Sequence, residues 1–142
     1  MKYGTLKTIA TLGLFMILGL ASVKAQSGGA IEAKITFDFA AGETKLKAGD
    51  YTIKRIAKDT LLFRSADEKT SVLVLAPVSI QQTRNDAPER LVFHRFEGQY
   101  FLAEVWVNRN GEGRAVPGSK TEMRLAKSKG RPETVEVAAR IR

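Results

Sequence analysis

His94 is the only histidine of the chain and there is no cysteine, and these two facts bound the chemistry first. Nucleophilic hydrolysis by a serine needs a histidine base held by a carboxylate. No Gly-x-Ser-x-Gly motif accompanies His94, and His94-Arg-Phe-Glu97 lacks the spacing of a zinc-protease helix. One imidazole and no thiolate leave a metal only oxygen ligands, and no Asp-x-Asp-x-Asp-Gly run offers a calcium loop. The residue types therefore predict no catalytic residue, no metal site and no cofactor, and His94 reads as a partly buried structural side chain.

Two other groupings suggest binding. Tyr100, Glu104 and Trp106 fall on one side of a strand with period two, and a carboxylate between aromatic rings suits a sugar surface. A single carboxylate is not the pair that glycoside hydrolysis uses, and a second core layer with Trp106 packed and Glu104 bridged to an arginine competes with the glycan reading. Lys120, Arg124, Lys127 and Arg131 recur at spacings of four, three and four, which on a helix gathers them into one stripe with Met123, Leu125 and Ala126 broadly opposite. Such a stripe fits contact with an anionic surface; the competing reading is a solvated helix face.

The elements that must position these groups read mostly as strands. Ile31, Ala33, Ile35, Phe37 and Phe39 alternate with polar residues, predicting one strand with a buried face. Ala41-Gly-Glu43 and Ala48-Gly-Asp50 are turn signals, and Tyr51-Thr-Ile53 resumes the extended pattern. Leu61 to Arg64 and Val72 to Ala76 are expected to pair antiparallel, and Pro77 makes Val78 to Thr83 a bent continuation or an edge strand. Leu91 to Val107 forms a hairpin about Glu97-Gly98, with Phe96 facing Gln99, Phe93 facing Leu102 and Leu91 facing Glu104. In that register Val92, His94, Phe96, Phe101, Ala103, Val105 and Val107 share the face expected to be fully buried. Asn108 to Gly118 reads as a loop. Ser119-Lys-Thr-Glu122 offers a capping box and Gly130 with Pro132 a stop, so residues 120–129 read as a helix before a last strand through Val135, Val137, Ala139 and Ile141. The sum predicts an all-β single domain, an antiparallel β-sandwich or small β-barrel of about seven strands with one short helix.

Lys2 and Lys7, the apolar run Ile9 to Ala21 and the small residues Val23 and Ala25 read as a cleaved secretory signal over residues 1–25. The run is shorter than the roughly 20 residues of a spanning helix. Residues 26–30 then form a linker, and 31–142 a single β domain held without disulfides. The protein is expected to be exported, periplasmic or extracellular, after cleavage near Ala25/Gln26. Residues 26–108 hold 11 basic and 11 acidic side chains, whereas residues 109–142 hold nine basic and four acidic. A neutral body with a basic C-terminal region points to an anionic envelope component or envelope protein as partner and, outside the cytoplasm, away from nucleic acid.

Phe37-Asp-Phe39, Ala48-Gly-Asp-Tyr-Thr-Ile53, Leu62-Phe-Arg-Ser65, Leu91-Val-Phe-His-Arg-Phe96, Tyr100-Phe-Leu102 and Glu104-Val-Trp106 together give a specific pattern. In it the chain resembles small exported all-β bacterial proteins of unknown function, over most of residues 35–130. The resemblance implies the fold and the export but carries no activity. Where that pattern has Asp-Gly after Arg64-Ser-Ala, this chain has Asp67-Glu68. The combined expectation is a non-catalytic, envelope-associated binding or structural module, with a glycan-binding module as the alternative and a hydrolase behind both.

Overall fold

The computed structural model describes residues 29–83, 87–107 and 110–142. The expected signal, residues 1–25, lies outside the described residues, as does the linker through residue 28. Eleven strands and one helix follow: β1 (Ala30–Ile35), β2 (Phe39–Ala41), β3 (Thr44–Leu46), β4 (Gly49–Ala57), β5 (Thr60–Ser65), β6 (Ser71–Leu75), β7 (Val78–Gln81), β8 (Arg90–Phe96), β9 (Gln99–Trp106), β10 (Glu112–Ala115), α1 (Lys120–Lys129) and β11 (Glu133–Ile141). No helix among the described residues is long and apolar enough to cross a membrane.

The all-β expectation holds, and the sheet is a nearly closed barrel. Its hydrogen-bonded order is β3-β2-β9-β8-β11-β1-β4-β5-β6, with β10 joining β9 to β7. Every pairing is antiparallel except that of β2 with β9. β6 ends this path and β7 ends the branch that leaves β9 through β10, yet only Ala76 and Pro77 separate the two strands. A link that short reaches about 11 Å, so the sheet has to curl until its ends meet. At the seam Ala76 donates its N–H to the Asp59 carbonyl (2.8 Å), while Arg114 reaches Asp59 (3.6 Å) and Arg55 reaches Glu112 (3.7 Å).

Three local causes raise the strand number above the expected seven. The strand expected over residues 31–39 breaks after Ile35, because the Asp38 carboxylate accepts the Ala48 N–H (2.9 Å) and Phe37 turns its ring onto Phe93 and Tyr100. Gly42, at φ 60°, then closes the β2–β3 hairpin. Residues 112–115, expected within a loop, form β10. They show no apolar alternation because Gly113 makes room for the Trp106 ring and Arg114 is the buried cation facing Asp59. At the β5–β6 turn Glu68 adopts φ 59°, the left-handed conformation that glycine takes at no steric cost.

The β8–β9 hairpin turns at Glu97-Gly98 as expected, and its register agrees from Phe96↔Gln99 to Phe93↔Leu102. Beyond that point it differs: Val92 faces Glu104 and Leu91 faces Val105, with Ala103 unopposed in a β-bulge. One inserted residue exchanges the two faces of everything after it. Leu91, Phe93, Leu102, Val105 and Val107 consequently line the barrel core with Ile31, Ile35, Ile53, Leu61 and Phe63. The face expected to be the core, Val92, His94, Phe96, Phe101 and Ala103, is the outer one. Its apolar members are buried outside the main core, with Phe96 against Phe101 at 6.2 Å. Inside, the rings Tyr100, Phe37, Phe93, Phe39, Tyr51 and Phe63 form a continuous chain of contacts with centroids 3.8–6.4 Å apart.

A Cβ on Gly113 would lie 2.6 Å from the Trp106 ring, so either the ring or the β9–β10 ladder must move to accept it. Gly113→Ala is expected to lower the stability by about 1–3 kcal/mol, the usual cost of overpacking, read as a lower urea midpoint at unchanged slope.

Candidate functional site

The helix forms where its caps place it. Ser119 is the N-cap, its Oγ accepting the Glu122 N–H (3.1 Å), and Gly130 at φ 81° ends the helix with its N–H on the Ala126 carbonyl (3.1 Å). Glu43, from the β2–β3 turn, accepts the Lys120 N–H (2.9 Å) and satisfies a second free donor of the first turn. Glu122 completes only half of the expected capping box. Its carboxylate turns instead to the barrel and meets His94 Nδ1 at 2.8 Å. At the other end Lys129 pairs with Glu97 (2.8 Å), a hydrogen bond that raises the lysine's pKa above its ordinary value.

These anchors decide which way the helix faces. At about 100° per residue, Glu122, Leu125 and Lys129 share one side and Lys120, Arg124 and Lys127 the opposite side. Glu122 is the buried residue of the helix and Leu125 is half-buried, whereas Met123 (53% exposed) and Ala126 remain open. A polar bond at Glu122 and a salt bridge at Lys129 dock the helix, so it needs little apolar surface to stay in place.

Lys120, Arg124, Lys127 and Arg131 are all exposed, and none takes part in an ion pair among the described residues. The first three form the expected stripe. Arg131 lies beyond Gly130, outside the helix, and extends the stripe from the loop. Beside the helix start a cleft of about 320 Å³ opens between the β2–β3 hairpin and the β8–β9 turn, with Lys45, Lys47, Ser119 and Thr121 in its wall. Lys45 and Lys47 therefore adjoin the basic helix, a grouping that sequence spacing could not show because more than 70 positions separate them from it. Of the cleft's carboxylates, Glu43 is bonded to the helix and Asp38 to Ala48 and Lys47. The bond from Ala48, with help from the Lys47 ammonium, outweighs desolvation and holds the Asp38 carboxyl below its ordinary pKa.

Tyr100, Glu104 and Trp106 are not brought together. The bulge at Ala103 leaves Tyr100 on the inner side, stacked on Phe37 at 3.8 Å, and sends Glu104 and Trp106 outward. Trp106 is buried (7% exposed) beneath the Arg90 guanidinium, 4.7 Å above its ring, and its indole N–H donates to Glu104 (2.8 Å). Among the described residues Glu104 thus takes its partner from the indole, not from an arginine. His94 does have the carboxylate that a general base requires, but among the described residues no hydroxyl is bonded to its ring. No group of three His, Asp or Glu side chains among the described residues could hold a metal ion.

Comparisons with protein-family models, with curated proteins and with solved structures found no match to this chain. Its function is accordingly read from this surface.

Glu122→Ala is expected to leave the barrel folded while releasing the helix. Amides of residues 123–129 should exchange faster with solvent, and stability should fall by about 1–3 kcal/mol, the cost of a lost bond to a charged group. A second outcome concerns acid. Asp38 and Asp67 both have carboxyl pKa values below the unfolded value, the latter chiefly through the Ser65 hydroxyl, so their stabilisation is complete above about pH 4. It is lost as pH falls through the folded values, and a double Asp38→Asn, Asp67→Asn variant should show a shallower loss of stability between about pH 4 and pH 2 in urea titrations.

Proposed function

We propose that this protein is a non-catalytic, exported and envelope-associated binding module that contacts an anionic partner through its basic C-terminal region. The observation that carries the reading is the orientation of α1. Glu122 and Lys129 are spent on docking, which turns Lys120, Arg124 and Lys127 away from the barrel, with no ion-pair partner among the described residues. Unpaired cations on a rigid helix keep their full charge for a partner and pay little ordering entropy on contact. Arg131 and the nearby Lys45 widen the same basic area. Export rests on the signal-like residues 1–25, and an envelope polyanion is the partner class that such a location offers.

Each cation near an anionic surface is worth about 1 kcal/mol, so the four together account for roughly a thousandfold in affinity at low salt. The test is retention of the purified protein on isolated envelope fractions across a salt series, beside a variant with Lys120, Arg124, Lys127 and Arg131 changed to Gln. The expected result is retention that falls steeply with salt and drops at least tenfold in the variant. Equal, salt-insensitive retention of both proteins would overturn the reading.

A further inference from the structure

The cleft beside the helix start is balanced in charge within and cationic at its border. Its wall holds Asp38 and Glu43 against Lys45 and Lys47, which sum to no net charge. On the adjoining helix, Lys120 and Arg124 have no ion-pair partner among the described residues. Glu43 joins the two regions, because the oxygen that accepts the Lys120 N–H belongs to a side chain of the cleft wall. A volume of about 320 Å³ lies at the small end of the range of small-molecule sites.

The wall offers both kinds of hydrogen-bonding group. The carboxylates of Asp38 and Glu43 accept, Lys45 donates, and Gln99 and Thr121 do both. The second oxygen of Glu43, the Lys45 ammonium and the side chains of Gln99 and Thr121 have no hydrogen-bond partner among the described residues. Phe39, Leu46 and Phe101 also line the cleft, but each is only 4% exposed, so they give it a narrow apolar floor beneath a polar wall.

These properties discriminate among anionic ligands. An acyl chain entering the cleft would strip water from two carboxylates and return no hydrogen bond to them. A bare polyphosphate would meet the same two like charges and has no hydroxyl to donate to them. A sugar ring suits the wall: its hydroxyls donate to Asp38 and Glu43 and accept from Lys45, Gln99 and Thr121, and its C–H groups meet the apolar floor. The carboxylates that favour a hydroxylated ring also keep any acidic substituent outside, where Lys120 and Arg124 stand one helical turn apart.

We infer that the anionic partner is an acidic oligosaccharide, one ring of which seats in this cleft while the acid groups of its neighbours meet Lys120 and Arg124. The inference rests on the anion-binding reading above and names the ligand class of the same surface. The stripe supplies attraction that any polyanion would share, and the cleft supplies the selection for a sugar.

The test is calorimetric titration of the purified protein with tetragalacturonate, with neutral galactotetraose and with inorganic tetraphosphate, beside amide chemical-shift mapping and a Gln99→Ala, Thr121→Ala variant of unchanged charge. Tetragalacturonate is expected to bind at least tenfold more tightly than either other probe and to shift the amides of Lys45, Gln99 and Thr121. The variant should lose about tenfold in affinity for tetragalacturonate, the effect of two hydrogen bonds, and less than twofold for tetraphosphate. Equal affinity for tetragalacturonate and tetraphosphate, with shifts confined to residues 120–131, would overturn the inference and leave the anion-binding reading standing. Binding of neither would remove both. The shift map of the wild type needs no variant, so it decides the matter even if the double substitution disturbs the helix start.

Discussion

The bulge at Ala103 is the constraint on which most of this structure turns. Without it, Glu104 and Trp106 would enter the barrel with Leu91 and Phe93, and a carboxylate would replace Val105 among the closely packed aliphatic side chains. Burying that charge without a partner would cost several kcal/mol, which the unopposed residue avoids by rotating the pair outward. There the indole and the carboxylate satisfy each other, and Arg90 covers the ring while also holding Gln82 and Glu136. The same extra residue bends β9, which passes from β2 along its first half to β10 along its second. A curved central strand lets eleven short strands become a barrel wall.

The basic helix depends on this wall through polar contacts. His94 lies on the outer face of β8 with Val92 and Phe96, and Glu122 finds it there at 2.8 Å. A helix of ten residues is too short to persist alone in water, so docking decides whether the cationic stripe exists as a stripe. Had the helix docked through Met123, Leu125 and Ala126, its roll would differ and Lys127 would lie nearer the barrel. The glutamate anchor therefore sets how the charge is displayed as well as where it sits.

Much of this was legible in the residues, and what was not shares a cause. Gly98 marked the central hairpin, and Ser119 with Gly130 marked both ends of the helix, because turns and caps are decided by neighbours in sequence. β6 was legible as a short apolar run and β11 from alternation. The bulge was not, since Ala103 resembles any strand alanine and its displacement answers to the curvature of the closed sheet. β10 was hidden because Gly113 and Arg114 are chosen by their tertiary neighbours, Trp106 on the adjacent β9 and Asp59 in the β4–β5 turn, and not by a local apolar pattern. The stripe could be drawn from spacing, but its roll could not, because Glu122 is fixed by a side chain 28 positions away.

β11 has a wider consequence. It is the strand that joins the part of the sheet built from β1, β4, β5 and β6 to the part built around β8 and β9, pairing Ile31 with Ile141 on one side and Val92 with Glu136 on the other. Each part has its own ladders, but among the described residues no ladder unites them until the nine-residue β11 is in place. Until β11 is in place, the edges of β1 and β8 that it covers are bare. Closing a loop of more than 100 residues is a slow, entropically costly step. The barrel is thus assembled late and all at once, because the strand that unites its sheet lies more than 100 positions from the strand it joins.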